Sequence, residues 1–513
     1  MPRKASKGET VKGLSWKLLY GNYRMTIGPD SWDEAVDKVG GPDVVSMDAM
    51  DDVPMQPFNE MLWQIDRRVG RGTGSEIDKV AQESVKAWAN FNKNLVKQLQ
   101  GDPHKMMEVF VEEVHPFFLN DPGASRIDKT LAASKDSDGG VRITLPNGLG
   151  TRFKVGLLRG FVALTGATAE IHQEDDKGDT YTVTWTLPEG KRGSSSALFA
   201  NAVRAPFLTA TIIPVLVGWA VAWLGGFFDP TVALDWGWLA LTLVAVAFFH
   251  LGTNAMNDYF DHRNGADAAN YTPTPFSGGS RVIQRGLMDP DRVKRLAWTM
   301  HGTGTILGLA LVTLLTLFVD EGAWRLGFFG VAGFLVGYLY TAPPFQLVHR
   351  GFGEVAVALG FGPIVVVGTW IVFSLDFSPT SWTVPLVASL PVALLVAAIL
   401  YVNEFPDRAG DAAAGKRTLV VRLSPRAGVA LFAVIVLAAY AAVAAGVAVG
   451  VLPMWSLLAL LTLPLAVWTL RKVGRDHDHA YKLIPANAAT ILGLHLGTGV
   501  LLVVGLVFGA LGW

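Results

Sequence analysis

The 513-residue chain contains no cysteine, so it has neither disulfides nor thiolate metal sites and carries no redox mark of its compartment. Net charge is also lacking: 43 Lys+Arg against 44 Asp+Glu leave −1. No strongly basic face is implied, which argues against a nucleic-acid partner. The opening "MPRKASKGETVKGLSWKLLYG" is basic but has no apolar stretch behind it, so no cleaved signal peptide is expected there. Charge is then unevenly spread. Residues 1–200 hold 25 Lys+Arg and 28 Asp+Glu, whereas residues 201–513 hold 18 and 16. The first stretch has the charge density of a soluble domain and the second that of a membrane protein.

From Arg204 onward, apolar runs near twenty residues recur, the length an α-helix needs to cross roughly 30 Å of hydrocarbon. They predict about nine spans, at 204–226, 236–257, 296–318, 326–342, 354–374, 383–403, 428–450, 452–470 and 484–511. The glycine pairs Gly304/Gly308 and Gly446/Gly450 suit close helix packing in lipid or are simply tolerated. The long polar loops 259–295, 343–353, 404–427 and 471–483 all fall on one face with most of the cations, while the other face has Arg325. The positive-inside rule makes the first face cytoplasmic and puts the N-terminal domain there too. The expectation is a soluble α+β domain over 1–190, a Gly/Ser-rich linker over 191–203, and an all-α membrane bundle over 204–513.

Within the N-terminal domain, "SEIDKVAQESVKAWANFNKNLVKQL" has helical spacing with Ser75 placed to cap it. "TRFKVGLLRGFVALTGA" predicts a helix stopped by Gly166, and "TAEIHQEDDKGDTYTVTWTLPEG" alternates as a β-hairpin. That helix and hairpin, some forty residues, resemble the ends of small bacterial sensory domains of the haem-NO-binding-like type. His104, His115 and His172 share no metal-ligand spacing and read as structural. "RDHDHAY", 475–481, reads as a solvated loop.

The chemistry concentrates in two stretches. Span two contains no charged residue from Trp236 to Asn257, then runs into "NDYFDHRNGAD". An aspartate at the centre of a membrane helix costs about 2.5–3.5 kcal/mol on insertion scales, so these acids belong at an interface or in a wet cavity. Asn254, Asp258 and Asp261 lie four and three residues apart and share one face if the helix continues; Asp267 follows a turn. Span six ends "YVNEFPDRAGDAAAGKRTLVVRL", where Asn403 and Asp407 repeat that spacing and Asp411 follows. The two clusters are four spans apart and open on the same face. Carboxylates in this arrangement suit Mg²⁺, which takes one or two carboxylates plus waters and phosphate oxygens. Paired acidic helix ends also fit ion binding in a transporter or channel. The cations Lys416, Arg417 and Arg281 beside the acids favour an anionic ligand held through Mg²⁺, a diphosphate, with its organic part between helices.

"NDYFDHRNGAD", "NEFPDRAGDAAAGKRT" and the "YTAPPFQLVHRGFGE" loop resemble the UbiA-type membrane prenyltransferases, over residues 200 to 513. "PFSGGSRVIQRG" is more similar to the branch that transfers polyprenyl groups to 1,4-dihydroxy-2-naphthoate in menaquinone synthesis. "NEFPD" departs from the "N-x-x-R-D" form of that branch and leaves the acceptor open. The resemblance implies a polyprenyl diphosphate donor, an aromatic acceptor, Mg²⁺ on Asp258, Asp261, Asp407 and Asp411, and a multi-pass protein of the bacterial inner membrane. Lys416, Arg417 and Arg281 would bind the leaving diphosphate. Tyr338 and Tyr340 either face the allylic cation or belong to an aromatic belt. Asp267 and Glu404 are possible bases. Arg350 and Glu354 form an ion pair or touch the acceptor. No partner of the N-terminal domain is indicated.

Overall fold

The computed structural model describes residues 10–47, 51–70, 72–115, 126–128, 139–145, 149–174, 179–186, 195–270 and 274–513. The chain divides into two compact units, Met1–Phe199 and Ala200–Trp513.

The first unit is α+β. Helices Met55–Arg68, Ser75–Phe91 and Thr151–Leu164 accompany an antiparallel sheet ordered Arg126–Asp128, Gly139–Thr144, Thr180–Thr186, Thr168–Gln173. Alternation on Thr180–Thr186 buries Tyr181, Val183 and Trp185, the period-2 pattern of a half-buried strand. Helix Thr151–Leu164 lies against Ser75–Phe91 where glycine removes the side chain: a Cβ on Gly156 would stand 2.6 Å from the Ala81 Cβ. The expected hairpin pairs Thr168–Gln173 with Thr180–Thr186, and Gly166 ends the preceding helix at φ 85°; residues 175–178 of its apex lie outside the described residues. Ser75 is not the cap. It is the first helical residue, and the Asp66 carboxylate, reaching over from the previous helix, accepts from the Gly74 and Glu76 amides at 2.8 and 3.1 Å. His115 is 2 % exposed, and burial, then the Lys154 charge, pushes its pKa down to about 3, so it is neutral. Within the expected linker, 191–194 lie outside the described residues, and Ser195–Ala202 is helical instead of loop.

The second unit is a bundle in which nine helices among the described residues are long and apolar enough to span a membrane: Ala205–Leu224, Ala233–Asn264, Pro290–Phe318, Glu321–Thr341, Gly353–Ser374, Pro379–Ala413, Pro425–Ala448, Met454–Asp476 and Ile484–Ala510. It is a multi-pass membrane protein. Large apolar side chains such as Ile306, Leu317, Val434 and Leu461 point outward, as a lipid-facing surface requires. The second and sixth spans run past their expected ends, to Asn264 and Ala413. An apolar run stops where charge begins, but the backbone hydrogen bonding continues because the polar side chains beyond find partners inside the bundle.

Only one glycine of each expected pair packs closely. A Cβ on Gly304 would meet the Ala245 carbonyl at 3.2 Å and one on Gly446 the Leu452 side chain at 2.8 Å, whereas Gly308 and Gly450 face open space. Tighter still is Gly218 in the first span, whose Cβ would lie 2.5 Å from the Val366 carbonyl oxygen. Backbone cannot swing aside as a flexible side chain does. Gly218→Ala should therefore cost about 1–3 kcal/mol, read as a lower midpoint in thermal unfolding of the detergent-solubilised protein, while Gly308→Ala should leave it unchanged.

Candidate active site

Helical periodicity brings the two acidic stretches inward. On the second span Asn254, Asp258 and Asp261 follow at i, i+4 and i+7; on the sixth Asn403, Asp407 and Asp411 follow at i, i+4 and i+8. One helical face carries each set. Asp258, Asp261 and Asp411 are 2, 5 and 6 % exposed, so none faces lipid or open water.

The two sets are joined. Lys416 Nζ lies 3.2 Å from Asp261 Oδ2 and 3.6 Å from Asp411 Oδ1, spanning the second and sixth helices with one ammonium. Asn270, beyond the second span, donates from Nδ2 to Asp407 Oδ1 at 2.7 Å, and the Gly278 amide donates to Asp407 Oδ2 at 3.0 Å. The Ser280 amide donates to Asp258 Oδ2 at 3.1 Å. The loop after the second span thus holds both helix ends through backbone donors. Gly279, at φ 72°, passes so close to Asp267 that a Cβ would stand 2.8 Å from its Oδ1; only glycine suits that backbone.

A single cavity of about 600 Å³ is lined by Asn254, Asp261, Asp267, Asp407, Asp411 and Lys416 at its polar part. It continues between helices past Phe249, Val312, Phe329, Gly333, Val372 and Val396. A charged mouth leading into an apolar interior can hold an anionic head and a hydrocarbon tail together.

Not every expected site residue lines it. Asn403 does, accepting from Asn487 at 2.7 Å, and Tyr340 does. Tyr338 does not: it stacks on Phe334 at 5.8 Å and packs on Trp298. Helical geometry explains the split, since residues two apart point to different sides. Arg281 binds the Asp267 carbonyl and so braces the loop from outside the cavity lining. Arg417 and Arg350 are exposed, and Arg350 donates to the Pro344 carbonyl at 2.9 Å. Among the described residues Arg350 forms no ion pair with Glu354, which is buried. Sequence reading missed Arg204, Asn257, Asn270 and His349. Arg204, which the sequence marks only as a cation flanking the first span, lines the cavity. Asn257 donates to Asp261 Oδ2 at 3.0 Å, and His349 Nε2 lies 3.4 Å from Asp261 Oδ1. Nothing in the sequence around Asn270 signals its bond to Asp407.

Two groups outside the spans report the field of the site. Burial would push the Lys416 ammonium down, but Asp261 and Asp411 hold it well above the ordinary lysine value, so it is charged wherever the protein functions. Burial, then the Asp261 and Asp258 charges, pushes the Asp267 carboxyl well above the ordinary aspartate value. A raised carboxyl favours the fold while protonated, and this contribution is lost as pH rises from its unfolded value through its folded one. Asp267→Asn should therefore raise the melting temperature at pH 7–8 in magnesium-free detergent by roughly 2 °C or more. The gain should shrink as the buffer is brought toward pH 4.

Among the described residues no three His, Cys, Asp or Glu side chains converge to chelate a metal alone. The donors nevertheless fit magnesium, which needs only one or two carboxylates when phosphate oxygens and water complete its shell. All are hard oxygen ligands; Asp258, unlike Asp261, Asp407 and Asp411, is not part of the cavity lining, but its Oδ1 is buried with no hydrogen-bond partner, as an oxygen that can take an ion is.

A family model described as the UbiA prenyltransferase family matches residues 211–491. A 1,4-dihydroxy-2-naphthoate octaprenyltransferase of Bacillus subtilis is 25 % identical over 62 % of this chain and 96 % of its own length. A UbiA homolog from Archaeoglobus fulgidus, solved bound to GPP and Mg²⁺, aligns with 61 % of this chain and 97 % of its own, at 14 % identity and a TM-score of 0.36. An H-NOX protein from K. algicida aligns with 35 % of this chain and 97 % of its own, at 11 % identity and a TM-score of 0.30. The family model alone covers more than half of the chain, and the protein belongs to the UbiA prenyltransferase family of membrane prenyltransferases.

Proposed function

We propose that this enzyme transfers a polyprenyl group from polyprenyl diphosphate to a hydroxylated aromatic acid, 1,4-dihydroxy-2-naphthoate. The observation that carries the reading is the joining of two acidic helix ends, by Lys416 and Asn270, at the mouth of one apolar cavity. The name of the Bacillus subtilis relative supports the acceptor.

Asp258 and Asp261 on one helix, and Asp407 and Asp411 on the other, would hold Mg²⁺, whose charge neutralises the diphosphate as its C–O bond breaks. Lys416 and Arg204 bind the same leaving group and keep it from returning to the allylic carbon. Asn254, Asn257 and Asn403 orient the carboxylates and the head group. Tyr340 offers a ring face toward the allylic cation, and the apolar lining excludes water that would quench it. The prenyl tail lies between the helices. The excess of cations on the long loops supports a cytoplasmic acidic mouth in the bacterial inner membrane.

The test is incubation of purified protein with a polyprenyl diphosphate, 1,4-dihydroxy-2-naphthoate and Mg²⁺. Prenylated product is expected, with none after EDTA treatment and recovery on restoring Mg²⁺. Mg²⁺-independent product, or none with this or any related hydroxylated ring, would count against the reading. Cations bound at the mouth without any substrate would instead favour an ion carrier.

A further inference from the structure

Glu354 and Glu404 are buried acids that the roles assigned above leave unused. They are 5 and 4 % exposed, and among the described residues their carboxyl oxygens find no hydrogen-bonding side chain except each other. Their side chains stand next to each other, Glu354 from the start of the fifth span and Glu404 from the sixth. Glu404 lines the cavity one turn before Asp407 and on a neighbouring face, with Tyr340 and Lys416 near it. A buried carboxyl without a partner costs several kcal/mol, and two adjacent ones repel unless they share a proton. No structural gain offsets this: the sixth span packs through its apolar residues, and Arg350 and Arg408, each four residues from one of the acids, donate to the Pro344 and Leu423 carbonyls instead. The cavity lies beside Glu404.

We propose that Glu354 and Glu404 form the acceptor-recognition site, reading a ring hydroxyl of the aromatic acceptor. The inference rests on the prenyl-transfer reading above and adds to it the group that activates the ring. Glu404, as carboxylate, accepts the hydroxyl proton; Glu354, as carboxylic acid, donates to Glu404 and positions it. The O–H electron pair becomes the C=O of a ring ketone. The ring π pair forms the C–C bond to the allylic carbon, and the diphosphate leaves with the electrons of the broken C–O bond. The ketone returns to the aromatic form by losing a proton or CO₂ from the substituted carbon. Glu404 is thus a catalytic residue and Glu354 a positioning residue.

The experiment compares 1,4-dihydroxy-2-naphthoate with its two mono-methyl ethers, in the wild-type protein and in Glu404→Gln. Mg²⁺-dependent binding of polyprenyl diphosphate is measured for each protein as the check of folding. Wild-type transfer should fall at least about 100-fold when the recognised hydroxyl is methylated and far less for the other ether, because a site built to bond a hydroxyl rejects an analogue without it. Glu404→Gln should lower transfer to the diol at least about 100-fold and treat the two ethers within about 5-fold of each other. A Glu404→Gln protein that keeps wild-type discrimination between the ethers overturns the proposal. Should that variant fail to bind polyprenyl diphosphate, Glu354→Gln decides: a drop in discrimination supports the pair, and unchanged discrimination overturns it. A wild-type protein that transfers to none of the three rings overturns the proposed function, and this inference falls with it.

Discussion

Replacing Asp407 or Asp258 with asparagine is expected to lower prenyl transfer at least about 100-fold each, and the double variant should be no more than about 10-fold worse than either. The reason is geometric. Asp407 sits on the sixth span and Asp258 on the second, yet the same loop grips both, through Gly278 and Asn270 on Asp407 and Ser280 on Asp258. If both carboxylates serve one diphosphate, removing either disables the whole, and the second loss adds little. Two independent ion sites would instead give effects that multiply. Asparagine keeps the size of the side chain and an acceptor oxygen for the Gly278 or Ser280 amide, so the fold should survive; initial rates over a magnesium titration separate lost affinity from lost turnover.

Lys416→Met should remove activity and stability together. Its ammonium touches an acid of each helix, Asp261 and Asp411. Breaking a buried pair by deleting one partner leaves an uncompensated charge and costs about 3–5 kcal/mol. Here two buried carboxylates are left on the cavity wall. Thermal unfolding in magnesium-free detergent should show a clear fall in midpoint. Adding Asp261→Asn should restore part of that stability, because it removes one stranded charge, while transfer stays at least about 100-fold down because the leaving diphosphate has lost both its cation and a metal ligand. Stability and activity that both recover in the double variant would show that Lys416 serves the fold alone.

The membrane fold was legible because lipid imposes a simple rule on sequence: a span must be apolar for about twenty residues. That rule located all nine helices and could not see where they stop, since Asp258 to Asn264 and Glu404 to Ala413 continue as helix in a polar setting. Periodicity then placed Asn254, Asp258 and Asp261 on one face, and Asn403, Asp407 and Asp411 on another, without coordinates. Residues that act through long-range approach were hidden. Nothing local distinguishes Asn270 from a surface asparagine, His349 from a loop histidine, or Arg204 from a cation that fixes topology, because their roles come from chain segments 137, 88 and 72 residues away in sequence. Glu354 misled for the same reason: an arginine four residues before it suggested an ion pair, whereas its neighbour in space is Glu404. Ser75 likewise has the local look of a cap, whereas Asp66 of the preceding helix accepts the bonds a cap would.

The central claim is that the acids of the second and sixth spans grip one diphosphate through magnesium. It is tested most directly by solving the protein with Mn²⁺ and a non-hydrolysable prenyl thiodiphosphate, locating manganese by its anomalous scattering. The account predicts manganese in contact with carboxylates of both helices and with diphosphate oxygens, with the prenyl chain running into the apolar cavity. Metal confined to one helix, or a diphosphate bound away from Lys416, would contradict it.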